Sequence, residues 1–243
     1  ESREQIDTSL EKDSYKAVYL NEEELENFYF GLSNKCLWPL FHYFVEYHQF
    51  DTTQWEHYVA VNQKFADAVI ANLEDGDKVW IHDYQLLLCP QMIKAVKPEV
   101  TIGFFLHIPF PSFEIFRIFP EREALLQGLL GADLIGFHTY DYERHFLSSV
   151  KRILRLEVNF NVISYKGREV TVNTFPMGID FKKFETAAHK NLSSKSSESS
   201  ELKPYQQKLK IYLEKLIDFT TWIKKKIKDS KDDANAASND YLK

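Results

Sequence analysis

The sequence has few cysteines and no long apolar run. Cys36 and Cys89 are its two cysteines, and neither belongs to a metal-binding or redox motif. Isolated cysteines are typical of a reducing compartment, so we expect buried free thiols and a cytoplasmic protein. No apolar run approaches the roughly 20 residues needed to cross a bilayer, and the polar start does not resemble a signal peptide.

Glycine is also scarce, and the eight glycines form neither a GxGxxG motif nor a phosphate-binding P-loop. A nucleophile elbow and a metal-ligand cluster are absent as well. Dinucleotide redox chemistry, nucleotide hydrolysis, serine hydrolysis and metal hydrolysis therefore have no motif support, and we expect no metal and no cofactor. The net charge is -6, and no basic patch dominates before residue 190, so nucleic acid is not an expected partner.

Two apolar runs of strand length, residues 79–82 and 101–106, flank one helix-length segment, residues 85–95. This pattern predicts a βαβ unit with two buried parallel strands, and 44% hydrophobic content is ample for a packed core. Asp83 follows the first strand directly and His107 follows the second. Side chains just past the carboxyl ends of parallel strands line the ligand crevice of such sheets.

The remaining pattern extends this unit to an α/β fold. Asn21, followed by three glutamates, predicts a helix start, and Pro39 requires either a first turn or a kink. Helices are predicted at residues 21–30, from 33–34 through 44, and at 53–72, 121–130, 140–154 and 181–189. A third strand is predicted at 132–137, and the alternating runs 157–165 and 169–175 predict a hairpin or two adjacent strands.

The composition predicts five regions along the chain. We expect a disordered start at residues 1–15, an α/β domain at 16–190 and a Ser-rich linker at 191–203. An amphipathic helix is predicted at 204–229 and a disordered tail at 230–243. The helix could contact a partner, support a homo-oligomer, or cover an exposed face of the sheet. A membrane-surface role for its basic end is the less favoured interpretation.

Several polar and aromatic residues could form a site near the strand ends: Asp83, His107, His138, Asp180, Tyr29 and Trp38. Taken singly, a histidine or aspartate after a strand is more often structural, and Tyr29 and Trp38 are by default core aromatics. Together on successive strand ends, Asp83 and His107 favour a ligand crevice. An aromatic ring beside a carboxylate is also a usual way to bind a sugar.

Seven motifs in order closely resemble the trehalose-6-phosphate synthases. They are KAVYL (16–20), FYFGLSN (28–34), LWPLFHY (37–43), VWIHDY (79–84), IGFFLHIPFP (102–111), ADLIGFHT (132–139) and FPMGID (175–180). The resemblance runs from about Lys16 to His189, and several long motifs in register make it specific.

The resemblance implies a Rossmann-like domain of a GT-B retaining glycosyltransferase. Such an enzyme transfers glucose from UDP-glucose to glucose 6-phosphate in trehalose biosynthesis, without a metal. By motif position, Tyr29, Trp38 and Asp83 match the residues that hold the acceptor sugar. His107 matches the histidine beside the donor sugar, so Asp83 and His107 are the implied catalytic residues.

The chain also departs from the family. The family has an earlier strand with a glycine-containing loop, and a second domain whose Arg and Lys hold the donor diphosphate. A diphosphate without cationic partners binds poorly, so we expect an incomplete N-terminal domain that is inactive alone. The alternative is a non-catalytic module that binds a sugar phosphate or serves regulation or interaction.

Overall fold

The computed structural model describes residues 3–12 and 14–194. The chain divides into two compact units, Glu1–Gly178 and Ile179–Lys243. The first unit ends before the predicted domain boundary at residue 190. The predicted helix at 204–229, the predicted tail at 230–243 and most of the predicted linker lie outside the described residues and stay predictions.

The first unit is built on a mixed sheet with the order β1-β2-β3-β6-β5-β4. Strands β1, β2, β3 and β6 are parallel, whereas β4 and β5 are antiparallel to their neighbours. The strands are β1 (Lys78–His82), β2 (Thr101–Phe105), β3 (Leu134–Phe137), β4 (Val158–Asn159), β5 (Val162–Tyr165) and β6 (Arg168–Thr174). The predicted parallel βαβ unit and the hairpin are confirmed. The hairpin turns at Lys166 and Gly167, which both have positive φ.

The helices of the first unit are α1 (Arg3–Lys12), α2 (Glu22–Glu24), α3 (Trp38–Phe41), α4 (Thr52–Asn72), α5 (Cys89–Val96), α6 (Phe113–Phe116), α7 (Arg122–Leu129) and α8 (Tyr140–Ser149). Helix α9 (Phe181–Ser194) belongs to the second unit. Helix α1 lies where the sequence predicts a disordered start. Helix α9 extends into the predicted linker.

The predicted restart of a helix at Ser33 is wrong, because one continuous helix runs from Glu22 to Phe41. It opens with a capping box between Asn21 and Glu24. Its middle, Leu25–Leu37, has π-helical hydrogen bonding. Pro39 cannot donate to the carbonyl of Lys35, and the backbone N–H of Gln49 donates to it instead, at 3.2 Å.

Strand β1 is not buried on both faces, which corrects the prediction. Ile81 is 5% exposed, whereas Trp80 is 67% exposed and His82 is also exposed. β1 lies at the edge of the sheet, and within the described residues no element covers its Trp80 side. The two predicted free thiols are confirmed: Cys36 and Cys89 are buried, and burial raises the pKa of each to about 12. Among the described helices, none is both long and apolar enough to span a bilayer.

Candidate functional site at the carboxyl ends of β1 and β2

The structure brings Asp83 and His107 together at the carboxyl ends of β1 and β2. The backbone N–H of Asp83 donates to the carbonyl of Phe105 at 2.9 Å. The backbone N–H of His107 donates to Asp83 Oδ1 at 3.3 Å, and that of Tyr84 donates to the same oxygen at 3.0 Å. Within the described part of the chain, no donor reaches Oδ2. One carboxylate oxygen of Asp83 therefore orders the two loops, and the other can accept from a ligand.

The backbone of Asp83 is strained. Its φ of 71° and ψ of 170° place it in a region that is almost exclusive to glycine. A side chain held there costs on the order of 1–3 kcal/mol, and residues of this kind cluster at ligand sites. This strain favours the predicted ligand-binding role of Asp83.

Two residues of α4 hold the loop that follows Asp83. The hydroxyl of Tyr58 donates to the carbonyl of Tyr84 at 2.6 Å and accepts from the N–H of Leu87 at 3.2 Å. Asn62 accepts from two further N–H groups of the loop and donates to the carbonyl of Gln85. Both side chains are fully buried. The helix at 53–72 was predicted without a role for Tyr58 or Asn62, although an asparagine at helical spacing among apolar residues was an available signal.

An aromatic shelf, formed by Tyr29, Trp38 and Tyr84, lies beside Asp83. The ring centroids of Trp38 and Tyr84 are 5.6 Å apart, and the hydroxyl of Tyr84 donates to Asn34 Oδ1 at 2.8 Å. Burial, together with the nearby Asp83 and Tyr29, raises the pKa of Tyr84 to about 12. Trp38 is 43% exposed and Tyr29 is 39% exposed. The default assignment of these two rings to the core is therefore wrong, and Tyr84, which sequence reasoning missed, connects them to Asp83.

His107 belongs to a group of three histidines on adjacent strand ends. Its Nε2 lies 2.9 Å from Nδ1 of His82, and its ring centroid lies 5.6 Å from that of His138. Burial and the neighbouring His107 lower the pKa of His82, while Asp83 partly opposes this change. Sequence reasoning named His107 and His138 but not His82. Asp180 lies in the second unit, where it accepts from the N–H of Lys183 at the start of α9.

The shape and chemistry of this region suit a polar, hydroxyl-rich ligand. A carboxylate, exposed aromatic rings and imidazoles can bind hydroxyls and the apolar face of a sugar ring. Over the described residues, no group of three or more His, Cys, Asp and Glu side chains has the geometry of a metal site. A groove of about 590 Å³ lies elsewhere, between the segment Ser14–Val18, α4 and β1. None of the candidate residues lines that groove.

Residues 1–228 match the model of glycosyltransferase family 20. The UDP-forming alpha,alpha-trehalose-phosphate synthase of Schizosaccharomyces pombe is 49% identical over 174 residues, which cover 70% of this chain and 34% of that protein. The chain spans between 34% and 42% of the length of such curated relatives.

Three solved structures are similar to the chain. The N-terminal domain of Candida albicans trehalose-6-phosphate phosphatase has 38% identity and a TM-score of 0.67, over 76% of this chain and 41% of that one. An E. coli structure bound with UDP-2-fluoro glucose has 34% identity and a TM-score of 0.64, over 80% and 41%. A Burkholderia xenovorans UDP-forming synthase in complex with glucose-6-phosphate has 30% identity and a TM-score of 0.63, over 70% and 39%. These similarities confirm the predicted Rossmann-like domain of GT-B type.

Proposed function

The chain belongs to glycosyltransferase family 20, and we propose that it forms the acceptor-side wall of a trehalose-6-phosphate synthase. That enzyme transfers glucose from UDP-glucose to glucose 6-phosphate. The names of its relatives support this proposal. The curated relatives are named for UDP-forming synthesis, and two of the solved structures are named for complexes with UDP-2-fluoro glucose and with glucose-6-phosphate.

The observation that carries the proposal is the strained Asp83 beside the aromatic shelf. Its free carboxylate oxygen would accept hydrogen bonds from acceptor hydroxyls, and charged acceptors form the stronger hydrogen bonds. Trp38 and Tyr29 would cover the apolar face of the sugar ring. Backbone strain of this kind clusters at ligand sites, which supports a ligand at Asp83.

His107 would contact the donor glucose from the end of the neighbouring strand. The backbone bond from His107 to Asp83 couples the donor contact to the acceptor contact, so both sugars would be oriented by one rigid unit. The described site contains no serine or cysteine activated by a neighbouring base. Catalysis by positioning and by polarisation of the sugars therefore fits it better than nucleophilic attack by the protein.

The proposal includes no cofactor besides the donor sugar nucleotide and no protein or nucleic-acid partner for the chemistry. The predicted cytoplasmic location rests on the two isolated thiols and stays a prediction, as does a role for residues 204–228 in assembly.

Binding of glucose 6-phosphate tests the acceptor site directly. We expect glucose 6-phosphate to raise the melting temperature of the purified chain, and Asp83→Asn to weaken its Kd by about tenfold or more, because hydrogen bonds to a charged group are lost. Asp75→Asn, which removes a charge from an exposed turn, is the matched control and should leave the Kd unchanged. Equal binding by the wild type and Asp83→Asn would refute the proposed site.

A non-catalytic sugar-phosphate-binding module is the second candidate. The similarity to the N-terminal domain of a trehalose-6-phosphate phosphatase favours it, because that domain belongs to a protein named for a different reaction. Incubation of the chain with UDP-glucose and glucose 6-phosphate distinguishes the two candidates. Release of UDP with formation of trehalose 6-phosphate would establish transferase activity and contradict the expectation that these 243 residues are inactive alone. Binding without transfer is the result expected of the chain alone.

A further inference from the structure

We propose that His82 is a positioning residue for His107: it holds Nε2 of the His107 imidazole within the protein, so that Nδ1 is the nitrogen presented to a ligand. The motif resemblance implies no role for His82. Its importance for sugar transfer rests on the function proposed above, whereas the contact itself can be tested without any ligand.

The geometry of the two rings is specific. Nδ1 of His82 lies 2.9 Å from Nε2 of His107, which is the length of a good hydrogen bond between nitrogen atoms. The ring centroids are 5.1 Å apart, with 27° between the ring planes. On its other side, His82 stacks on Trp80, with centroids 5.8 Å apart. His82 therefore contacts both the indole of Trp80 on its own strand and the imidazole of His107.

The strand register explains why these two histidines meet. His82 is the last residue of β1 and pairs with Phe105, the last residue of β2. His107 lies two positions further, and its ring also packs on Phe105, with centroids 4.8 Å apart. Phe105 lies against Gly136, where an added Cβ would come within 2.6 Å of its ring. Packing thus limits the ring orientations of His107, and the bond to His82 selects one of them.

The hydrogen bond at Nε2 of His107 also sets the role of Nδ1 in the same ring. One ring nitrogen of a neutral histidine donates and the other accepts, so a hydrogen bond between two neutral rings requires opposite roles for the two bonded nitrogens. Whichever ring donates, Nε2 of His107 is occupied and Nδ1 takes the complementary role toward a ligand hydroxyl. The other titratable groups that the described structure places against this pair are Asp83 and His138.

Nitrogen NMR of the histidine-labelled chain tests the proposal at a pH where the rings are neutral. Long-range ¹H–¹⁵N spectra report the ratio of the two tautomers of each imidazole. We expect His82→Phe, which keeps a ring against Trp80 but removes the nitrogen, to change the His107 ratio by about three- to tenfold. His82→Asn, whose amide atoms occupy the place of Nδ1, should restore the wild-type ratio to within about twofold.

Matched controls separate this effect from a change in fold. His138→Phe removes a ring that contacts His107 by packing, and it should leave the His107 ratio close to that of the wild type. The signals of His145, whose Nδ1 lies 3.1 Å from the carbonyl of Phe110, report whether each variant is folded. An unchanged His107 ratio in folded His82→Phe, or an equal change in His138→Phe, would overturn the proposal. Failure of the chain to bind glucose 6-phosphate would instead refute the proposed function and leave this result standing.

Discussion

Asp83 lies at the carboxyl ends of the parallel strands, whereas Asp133 lies at their amino ends. The two carboxylates also have different partners. Asp133 precedes β3 and accepts from Lys94 at 2.9 Å, from Arg168 at 3.2 Å and from the N–H of Ile102 at 2.8 Å. Asp83 follows β1 and accepts from two backbone N–H groups, with no cation beside it among the described residues. Asp133 is neutralised by the fold, whereas the charge of Asp83 stays available.

The backbone adds to this contrast. Asp83 has a positive φ that suits glycine, whereas Asp133 is absent from the described residues with positive φ. The carboxylate of Asp133 is paired with cations, whereas Asp83 stands on a strained backbone and keeps one carboxylate oxygen without a donor among the described residues. A strained acid without a cation, placed at the carboxyl ends of parallel strands, therefore indicates a ligand site more clearly than an acid at a strand end alone.

The largest expected effect follows from removing the neutralised carboxylate. Asp133→Ala leaves Lys94, which is 10% exposed, and Arg168 without their counter-charge and frees the N–H of Ile102. We expect the free energy of unfolding to fall by roughly 2–4 kcal/mol in urea denaturation. Asp67→Ala, on the exposed face of α4, is the control and should change it by less than about 0.5 kcal/mol. If Asp133→Ala changes the free energy of unfolding as little as Asp67→Ala does, Asp133 does not stabilise the fold and the contrast with Asp83 fails.

The packing beneath the carboxyl edge should be the next most sensitive feature. In Gly136→Ala, the new Cβ would lie 2.6 Å from the ring of Phe105 and 3.1 Å from that of Phe175. We expect a loss of about 1–3 kcal/mol from overpacking, together with shifted NMR signals of His107 and His138. At Gly103 an added Cβ would have neighbours no closer than 4.0 Å, so Gly103→Ala should cost no stability. Equal losses at both glycines would argue against tight packing under the site.

A comparison of two substitutions at one position measures the strain at Asp83. Asp83→Gly and Asp83→Ala both remove the carboxylate, but only glycine tolerates the backbone without strain. We expect the glycine variant to be more stable by about 1–2 kcal/mol in urea denaturation. At Asp133 the order should be reversed, with alanine more stable by about 0.5–1 kcal/mol. If alanine is as stable as glycine at position 83, the backbone there is not strained in solution.

The smallest expected effect is on the pH dependence of stability. The pKa of His82 is lowered in the folded chain, so protonation favours the unfolded chain. The stability it contributes is complete above the ordinary pKa of 6.5 and declines as the pH falls from there toward the folded pKa. His82→Phe should flatten this decline in a series of urea titrations. Because His82 is exposed, the change should be small, and a steeper decline in the variant would contradict the lowered pKa of His82.

Much of the fold could be predicted from local pattern. Apolar runs gave β1, β2 and β3, the three- and four-residue spacing gave α4, and Asn21 with its following glutamates gave a capping box that the structure contains. The passage of a helix through Pro39 was predicted, whereas the π-helical segment and the continuity of the helix before Ser33 were not. The N–H that the carbonyl of Lys35 accepts from belongs to Gln49 in a separate segment, so local pattern does not show it.

The candidate site was predicted only in part, because local pattern marks some of its residues and not others. Asp83 and His107 are adjacent to strands, so the pattern placed them at one edge of the sheet, and the motif resemblance added Tyr29 and Trp38. Tyr84, His82 and Asn62 were missed, because their roles arise from contacts between separate elements.

Periodicity, caps and motif spacing predicted most strands and helices in chain order, the family and the positions of the candidate residues. Local pattern did not show which carboxylate is paired with cations, which histidines contact each other, or that Asp83 adopts a backbone suited to glycine. These properties depend on distances between residues remote in sequence, and such distances exist only after the chain has packed.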